Sequence, residues 1–238
     1  MHWIQDVRYI ILNAHGKNPG FEMEYAKAYE CWRLAWTKFR NEVGVTDKLN
    51  SDGFRLADEI GAIFYGEDCV AIHCFTYGNW ENGPYQDLSC FNGWTEKALN
   101  TFKNFSQTNS LVCTQFAVHP NYTGKNQITH WKEINSLYIF TRFQCSKADI
   151  MCAHINLTRK MQDVVGESFG GTVLEPLIKF NYYGDIQDSQ LVAYKKENFD
   201  KVKKEKDIEF LCAQLWSKCL HVSDFPVLNK KHETRKAA

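Results

Sequence analysis

The chain has 238 residues, 44% of them hydrophobic and 24% charged, and its 28 basic and 28 acidic side chains cancel. Such a composition excludes disorder, collagen and coiled coil as the main architecture, and a chain of this length buries enough surface for a full core without metals or disulfides. Zero net charge supplies no long-range field to attract nucleic acid or an anionic membrane. The nine cysteines are an odd number with no C-x-x-C pair, and they read as reduced thiols of a cytoplasmic protein. Residues 1–6 lack the pattern of a secretory signal, and no stretch approaches the roughly 20 apolar residues of a membrane span.

In chain order, Tyr25, Tyr29, Trp32, Trp36, Phe39 and Val43 recur every three or four residues, predicting an amphipathic helix over 22–43 that Gly44 stops. Apolar runs at 60–65 and 69–75 flank Gly66-Glu67-Asp68 and predict a hairpin. Residues 78–93 read as a long loop and 94–105 as a short helix. A strand over 111–118 closes at His119-Pro120, because proline cannot donate to a ladder and biases its predecessor towards extended backbone. Ile128, Trp131, Ile134, Leu137, Tyr138 and Phe143 predict a second long helix over 126–144.

A strand at 149–155, a helix at 158–168 and strands at 172–180 and 190–194 follow, then a helix over 201–221. The segment from Lys195 onward carries 11 basic and 7 acidic residues and reads as a solvated helix face and tail. The expected organisation is one domain over 1–228 with a flexible basic tail over 229–238. The order of elements predicts an α/β fold, a mixed and partly parallel central sheet flanked by helices, with an antiparallel hairpin at each end. The histidines and cysteines have no metal-ligand spacing.

The segment from Phe116 to Ile128 reads Phe-Ala-Val-His-Pro-Asn-Tyr-Thr-Gly-Lys-Asn-Gln-Ile. An apolar strand that ends at proline, turns through Gly124-Lys125 and enters a long helix aims unpaired N–H groups at one spot, which suits a phosphate or a developing oxyanion. The segment resembles the acyl-donor motif of the GNAT superfamily of N-acyltransferases, a strand reading roughly V-x-P before an R/Q-x-x-G-x-G/A pyrophosphate loop. The order of elements from about residue 24 to 195 matches that family too. Thr123 stands at the usual Arg or Gln, Gly124 keeps a glycine, and Asn126 and Ile128 replace small residues that let a diphosphate approach. A donor carrying only phosphopantetheine has less need of that diphosphate site. The stretch Arg33 to Gly44, with Asp52, Asp58 and Glu59 after it, is similar to the first helix and acidic loop of autoinducer synthases and long-chain N-acyl amino acid synthases.

The resemblance implies an enzyme that moves a long-chain acyl group from acyl-carrier protein, or from coenzyme A, to the amine of an amino acid or similar small amine. It implies no metal and no permanently bound cofactor. An amine must lose a proton to attack a thioester, and Glu42 or Glu59 would receive it. The N–H of Val118 or its neighbours would hold the thioester carbonyl, the strands on either side splaying apart to admit the pantetheine arm. Phe116, Thr123, Gly124, Lys125, Asn126 and Arg159 complete the donor side, with Lys160 beside them. Asp58 and His73 are expected on the acceptor side, and Trp36, Phe39 and Trp131 in the acyl pocket. Asn156 is expected to cap the next helix. The tyrosine that usually protonates the leaving thiolate has no counterpart in 157–168, which leaves solvent, Tyr138 or Tyr183. Two other readings stay open: an acetyl-coenzyme A N-acetyltransferase, and a binding or sensor protein that kept the fold without catalysis.

Overall fold

The computed structural model describes residues 5–15, 17–79, 81, 83–105, 109–124, 131–161, 170–182, 185–201 and 213–224. The chain runs β1 (Val7–Asn13), α1 (Glu22–Glu42), α2 (Asp52–Arg55), β2 (Glu59–Tyr65), β3 (Asp68–Asn79), α3 (Gly83–Gln86), α4 (Glu96–Phe105) and β4 (Asn109–Val118). After these come α5 (Trp131–Cys145), β5 (Ile150–Asn156), β6 (Gly171–Tyr182), β7 (Asp185–Lys195), α6 (Lys196–Lys201) and β8 (Cys219–His221). Among the described residues the strands form one mixed sheet in the order β6-β7-β5-β4-β3-β2-β1-β8.

Side-chain alternation along the central strands divides the core between two faces. On one face, Ile10, Leu12, Ile60, Ala62, Phe64 and Ile72 pack against Ala28, Cys31 and Trp32 of α1. Further along that face, Ala98 and Phe102 of α4 meet Val112, Ile150 and Leu191. On the other face, Trp131, Ile134 and Tyr138 of α5 cover Val7, Tyr9, Ile11 and Ile63, with Tyr138 stacked on Tyr9 at 4.0 Å between ring centres. The stripe expected on α1 is present, and the helix ends where Gly44 takes a φ of +77°, a left-handed value that glycine adopts without strain.

The hairpin β2–β3 turns through Gly66-Glu67, with Tyr65 opposite Asp68. Gly61, inside β2, serves packing. A Cβ there would lie 2.2 Å from the His73 ring and 2.4 Å from the Tyr9 hydroxyl, so only a residue without a side chain admits both.

Several sequence expectations are corrected. A strand, β1, precedes the first helix; covered on both faces, it is a continuous apolar run without the alternation that marks a half-exposed strand. An antiparallel hairpin, β6–β7, stands at one edge, but the other edge is β8, parallel to β1 with Tyr9 opposite Cys219. The expected helix over 201–221 is helical at 213–217, yet Cys219–His221 is strand because the open edge of β1 offers it a ladder. The loop over 78–93 is shorter, since β3 continues to Asn79 and α3 and a short 3-10 turn at Ser89–Phe91 follow. Residues 157–161 form turns; 126–130, 162–169, 202–212 and the expected tail 229–238 lie outside the described residues.

Candidate active site

The sheet parts between β4 and β5. Their parallel ladder holds for three pairs, Ser110 with Ile150, Leu111 with Met151 and Val112 with Cys152. Beyond it, β4 stays with β3 as far as Val118 opposite Ala71, while β5 stays with β7 as far as Asn156 opposite Ser189. A cavity of about 950 Å³ fills the gap and passes through the sheet, reached by Trp36 and Phe39 from the α1 face and by Ile139 and Phe140 of α5 from the other.

The wall formed by β4 is bulged. Gln115 and Phe116 both lie opposite His73, and Gln115 takes a φ of +56°, uncommon for a residue with a side chain. The indole N–H of Trp32 donates to its amide oxygen at 2.8 Å and holds the bulge. Past it, the N–H of His119 donates to the carbonyl of Val70 on β3 at 2.8 Å. Successive N–H groups of a strand point to opposite sides, so that of Val118 faces away from β3, towards the gap.

Of the residues singled out in the sequence, Trp36, Phe39, Glu42, Asp52, Phe116, Val118, Thr123, Asn156 and Arg159 line this cavity. Glu42, at the end of α1, pairs with Arg159, just past β5, at 2.8 Å, and the Arg159 guanidinium lies 4.9 Å from the Phe39 ring centre. This ion pair ties the two walls of the gap together at its rim. Asn156 accepts the backbone N–H of Arg159 at 2.9 Å, the bond expected of a capping residue. Gly124 follows Thr123 with a φ of +133° and stands off the cavity wall. Lys125, Asn126 and Tyr183 lie outside the described residues.

Four others are placed elsewhere. Glu59 is wholly buried, gripped by two hydrogen bonds from Arg142 at 2.8 and 3.0 Å, the Tyr77 hydroxyl at 2.9 Å and the Ser223 hydroxyl at 2.7 Å. Burial alone would raise its pKa; hydrogen bonds from His221, Arg142 and Ser223 and the charge of Arg142 outweigh that and hold it at about 2. A carboxylate so committed is no base for an amine. His73 sits between the Tyr9 hydroxyl at 2.7 Å and Asn135 at 2.6 Å, away from the cavity, and burial lowers its pKa to about 4. Asp58 accepts the backbone N–H of Tyr77 at 2.7 Å and faces His15, with burial raising its pKa. Trp131 packs under β1 and β2 because α5 turns it into that core rather than towards the gap. Tyr138 is likewise buried and off the cavity; the tyrosine that does line it is Tyr194 of β7.

Sequence reasoning also passed over Lys132, His154 and Phe180, which line the cavity. For His154 a signal existed: alternation along β5 puts it on the same face as Cys152, next to the parted strand. Among the described residues no cluster of three or more His, Cys, Asp or Glu is placed to hold a metal, and no helix is long and apolar enough to cross a membrane.

No protein-family model and no curated protein matches the chain. Solved structures do. FeeM, an N-acyl amino acid synthase from uncultured soil microbes, superposes with a TM-score of 0.51 at 12% identity, over 83% of this chain and 95% of its own. BjaI, a CoA-dependent acyl-homoserine lactone synthase solved with SAM and isopentyl-CoA, gives 0.50 at 12% identity over 92% and 94%. The chain has the GNAT fold. At this identity the likeness extends to the architecture, so within the GNAT fold the chemistry has to be argued from the gap and its side chains.

Proposed function

We propose that this chain is an N-acyltransferase that moves an acyl group from a thioester to the amine of an amino acid or similar small amine. Acyl-carrier protein is the preferred donor, coenzyme A the other. The observation that carries the reading is the gap between β4 and β5, a largely apolar passage through the sheet with a backbone donor turned towards it. A thin acyl-pantetheine arm suits such a passage, and its two mouths let donor and acceptor approach from opposite faces.

In this reading the N–H of Val118 holds the thioester carbonyl. An oxyanion donor of this kind stabilises the tetrahedral intermediate by about 3 to 4 kcal/mol. The amine nitrogen bonds to the carbonyl carbon, its proton passes to Glu42, and the carbon–sulfur bond breaks to release the thiolate, which takes a proton from solvent; burial raises the pKa of the Tyr194 hydroxyl and makes it a poor acid for that step. Thr123, Gly124, Lys125, Asn126 and Arg159 serve the donor's phosphate, with Phe116 beside the pantetheine arm. A phosphate that draws Arg159 away frees Glu42 to accept the proton, so donor binding precedes attack. Trp36 and Phe39 flank the acyl chain. The assigned compartment is the cytoplasm, which keeps thiols reduced; the eight cysteines among the described residues are all free.

The test is to express the chain in a bacterial host and search organic extracts for new fatty-acyl amides by mass spectrometry, then assay purified protein with acyl-carrier-protein and coenzyme A thioesters. New long-chain N-acyl amino acids support the reading and name the acceptor. Preference for acetyl-coenzyme A would move it to the acetyltransferases, and turnover with no thioester would leave a fold without catalysis.

A further inference from the structure

The bulge in β4 decides which backbone groups the gap receives. Before it, the carbonyl of Asn109 accepts the N–H of Asp149 at 2.9 Å, so Asn109 faces β5. The N–H and carbonyl of one strand residue point to the same side and those of the next residue to the other. Unbroken alternation from Asn109 would therefore turn His119 towards the gap and Val118 towards β3. The bond from the His119 N–H to Val70 of β3 shows the reverse. The phase changes where the pairing steps from Thr114 opposite Cys74 to Ala117 opposite Ile72, three residues along β4 against two along β3. Gln115 stands in that step, with its left-handed φ of +56°.

A glycine would take this backbone without strain. Glutamine does not, but it brings a side chain, and the amide oxygen of that side chain accepts the indole N–H of Trp32 at 2.8 Å. Trp32 has no room to swing. It is wholly buried on α1, with the rings of Tyr29 and Phe54 each 5.6 Å from its own between centres. The bond therefore ties a fixed point on a long helix to the residue whose backbone sets the phase of the cavity wall. Trp32 itself stands off the cavity, whereas Trp36, Phe39 and Glu42 further along the same helix line it. An effect of Trp32 on the reaction has to pass through what it holds.

We infer that Trp32 is a positioning residue for acyl transfer, holding through Gln115 the bulge that turns the Val118 N–H towards the thioester. The inference rests on the acyl-transfer reading and adds the residue that fixes its oxyanion donor. One helix then governs both ends of the reaction, with Glu42 receiving the amine proton and Trp32 setting the donor for the carbonyl oxygen. Without the bond the passage still admits a donor thioester, but the Val118 N–H is no longer held on the line where charge develops. That loss weakens the transition state more than the bound ground state.

The experiment breaks the bond from each end, with Trp32→Phe and Gln115→Met, singly and together. On each folded variant it reads kcat and the KM values for thioester and amine, alongside urea denaturation. Each single change should lower kcat about 10- to 100-fold, the range for a displaced catalytic group, with both KM values within about threefold of the parent. The double variant should lose no more kcat than either single one, because both remove the same bond. A tryptophan that only filled the core would lower stability and leave kcat per folded molecule unchanged. Should Trp32→Phe fail to fold, Gln115→Met, which keeps the length of its side chain, carries the test alone. Kcat within about twofold of the parent, a loss that appears in KM instead, or losses that multiply in the double variant overturn this inference alone. No turnover of the parent with any thioester overturns the acyl-transfer reading and this inference with it.

Discussion

Glu59–Arg142 and Glu42–Arg159 are the same pair of side chains at the same 2.8 Å, the first with no exposed surface on either partner and the second with 42% exposed on both. The buried pair is closed by two further hydroxyl donors and by packing from β3, α5 and the segment after β8. The rim pair bridges the mouth of the gap and can be opened by anything that competes for the guanidinium. In a dry interior, removing one partner leaves an uncompensated charge; at a wet rim, water takes its place. Burial has turned one pair into structure and left the other available for chemistry.

The largest expected effect breaks the buried pair. Glu59→Gln or Arg142→Met should lower unfolding free energy by about 3 to 5 kcal/mol, read from urea denaturation. If either lost less than about 1 kcal/mol, within the range of a surface pair, the contrast between the two sites would collapse. Glu42→Gln should do the opposite, leaving stability within about 1 kcal/mol of the parent while kcat for amine acylation falls about 10²- to 10⁴-fold. Gly61→Ala, which pushes a methyl into His73 and Tyr9, should cost about 1 to 3 kcal/mol in the same denaturation assay.

Acid sharpens the comparison further. Glu59 sits at about 2 in the fold against 4.5 for the free group, so its stabilisation is complete above about pH 4.5 and is lost as pH falls towards 2. His73 sits at about 4 against 6.5, so the unfolded chain takes up its proton first and stability declines as pH falls from 6.5 to 4. The denaturation midpoint should therefore fall in both windows, with His73→Gln flattening the upper one. The smallest effect is expected from Arg159→Met, a change in stability of about 0.2 to 1 kcal/mol that disappears in high salt.

The legible parts of the fold were those with a period. The aromatic stripe of α1 faces one side of the sheet because the other side of that helix meets water, and the hairpin β2–β3 is marked by its glycine turn. β1 carried no alternation because helices cover both its faces, and β8 is three residues whose conformation depends on a partner more than 200 positions away. At the site, the gap followed from recognising the strand that ends at His119-Pro120, and Glu42, Phe39 and Arg159 reached it. Glu42 and Glu59 could not be told apart in one dimension. What separates them is Arg142, 83 residues from Glu59, and Ser223, 164 residues away.

Ser223 is also the last of the Glu59 donors to be made by the ribosome. Until it and β8 emerge, Glu59 has Arg142 and Tyr77 but lacks its closing hydroxyl, and β1 presents an open edge. A chain that stopped before residue 219 would therefore leave the edge of β1 unpaired and the Glu59 carboxylate short of one donor, so the last described segment closes the sheet and its buried ion pair in one step.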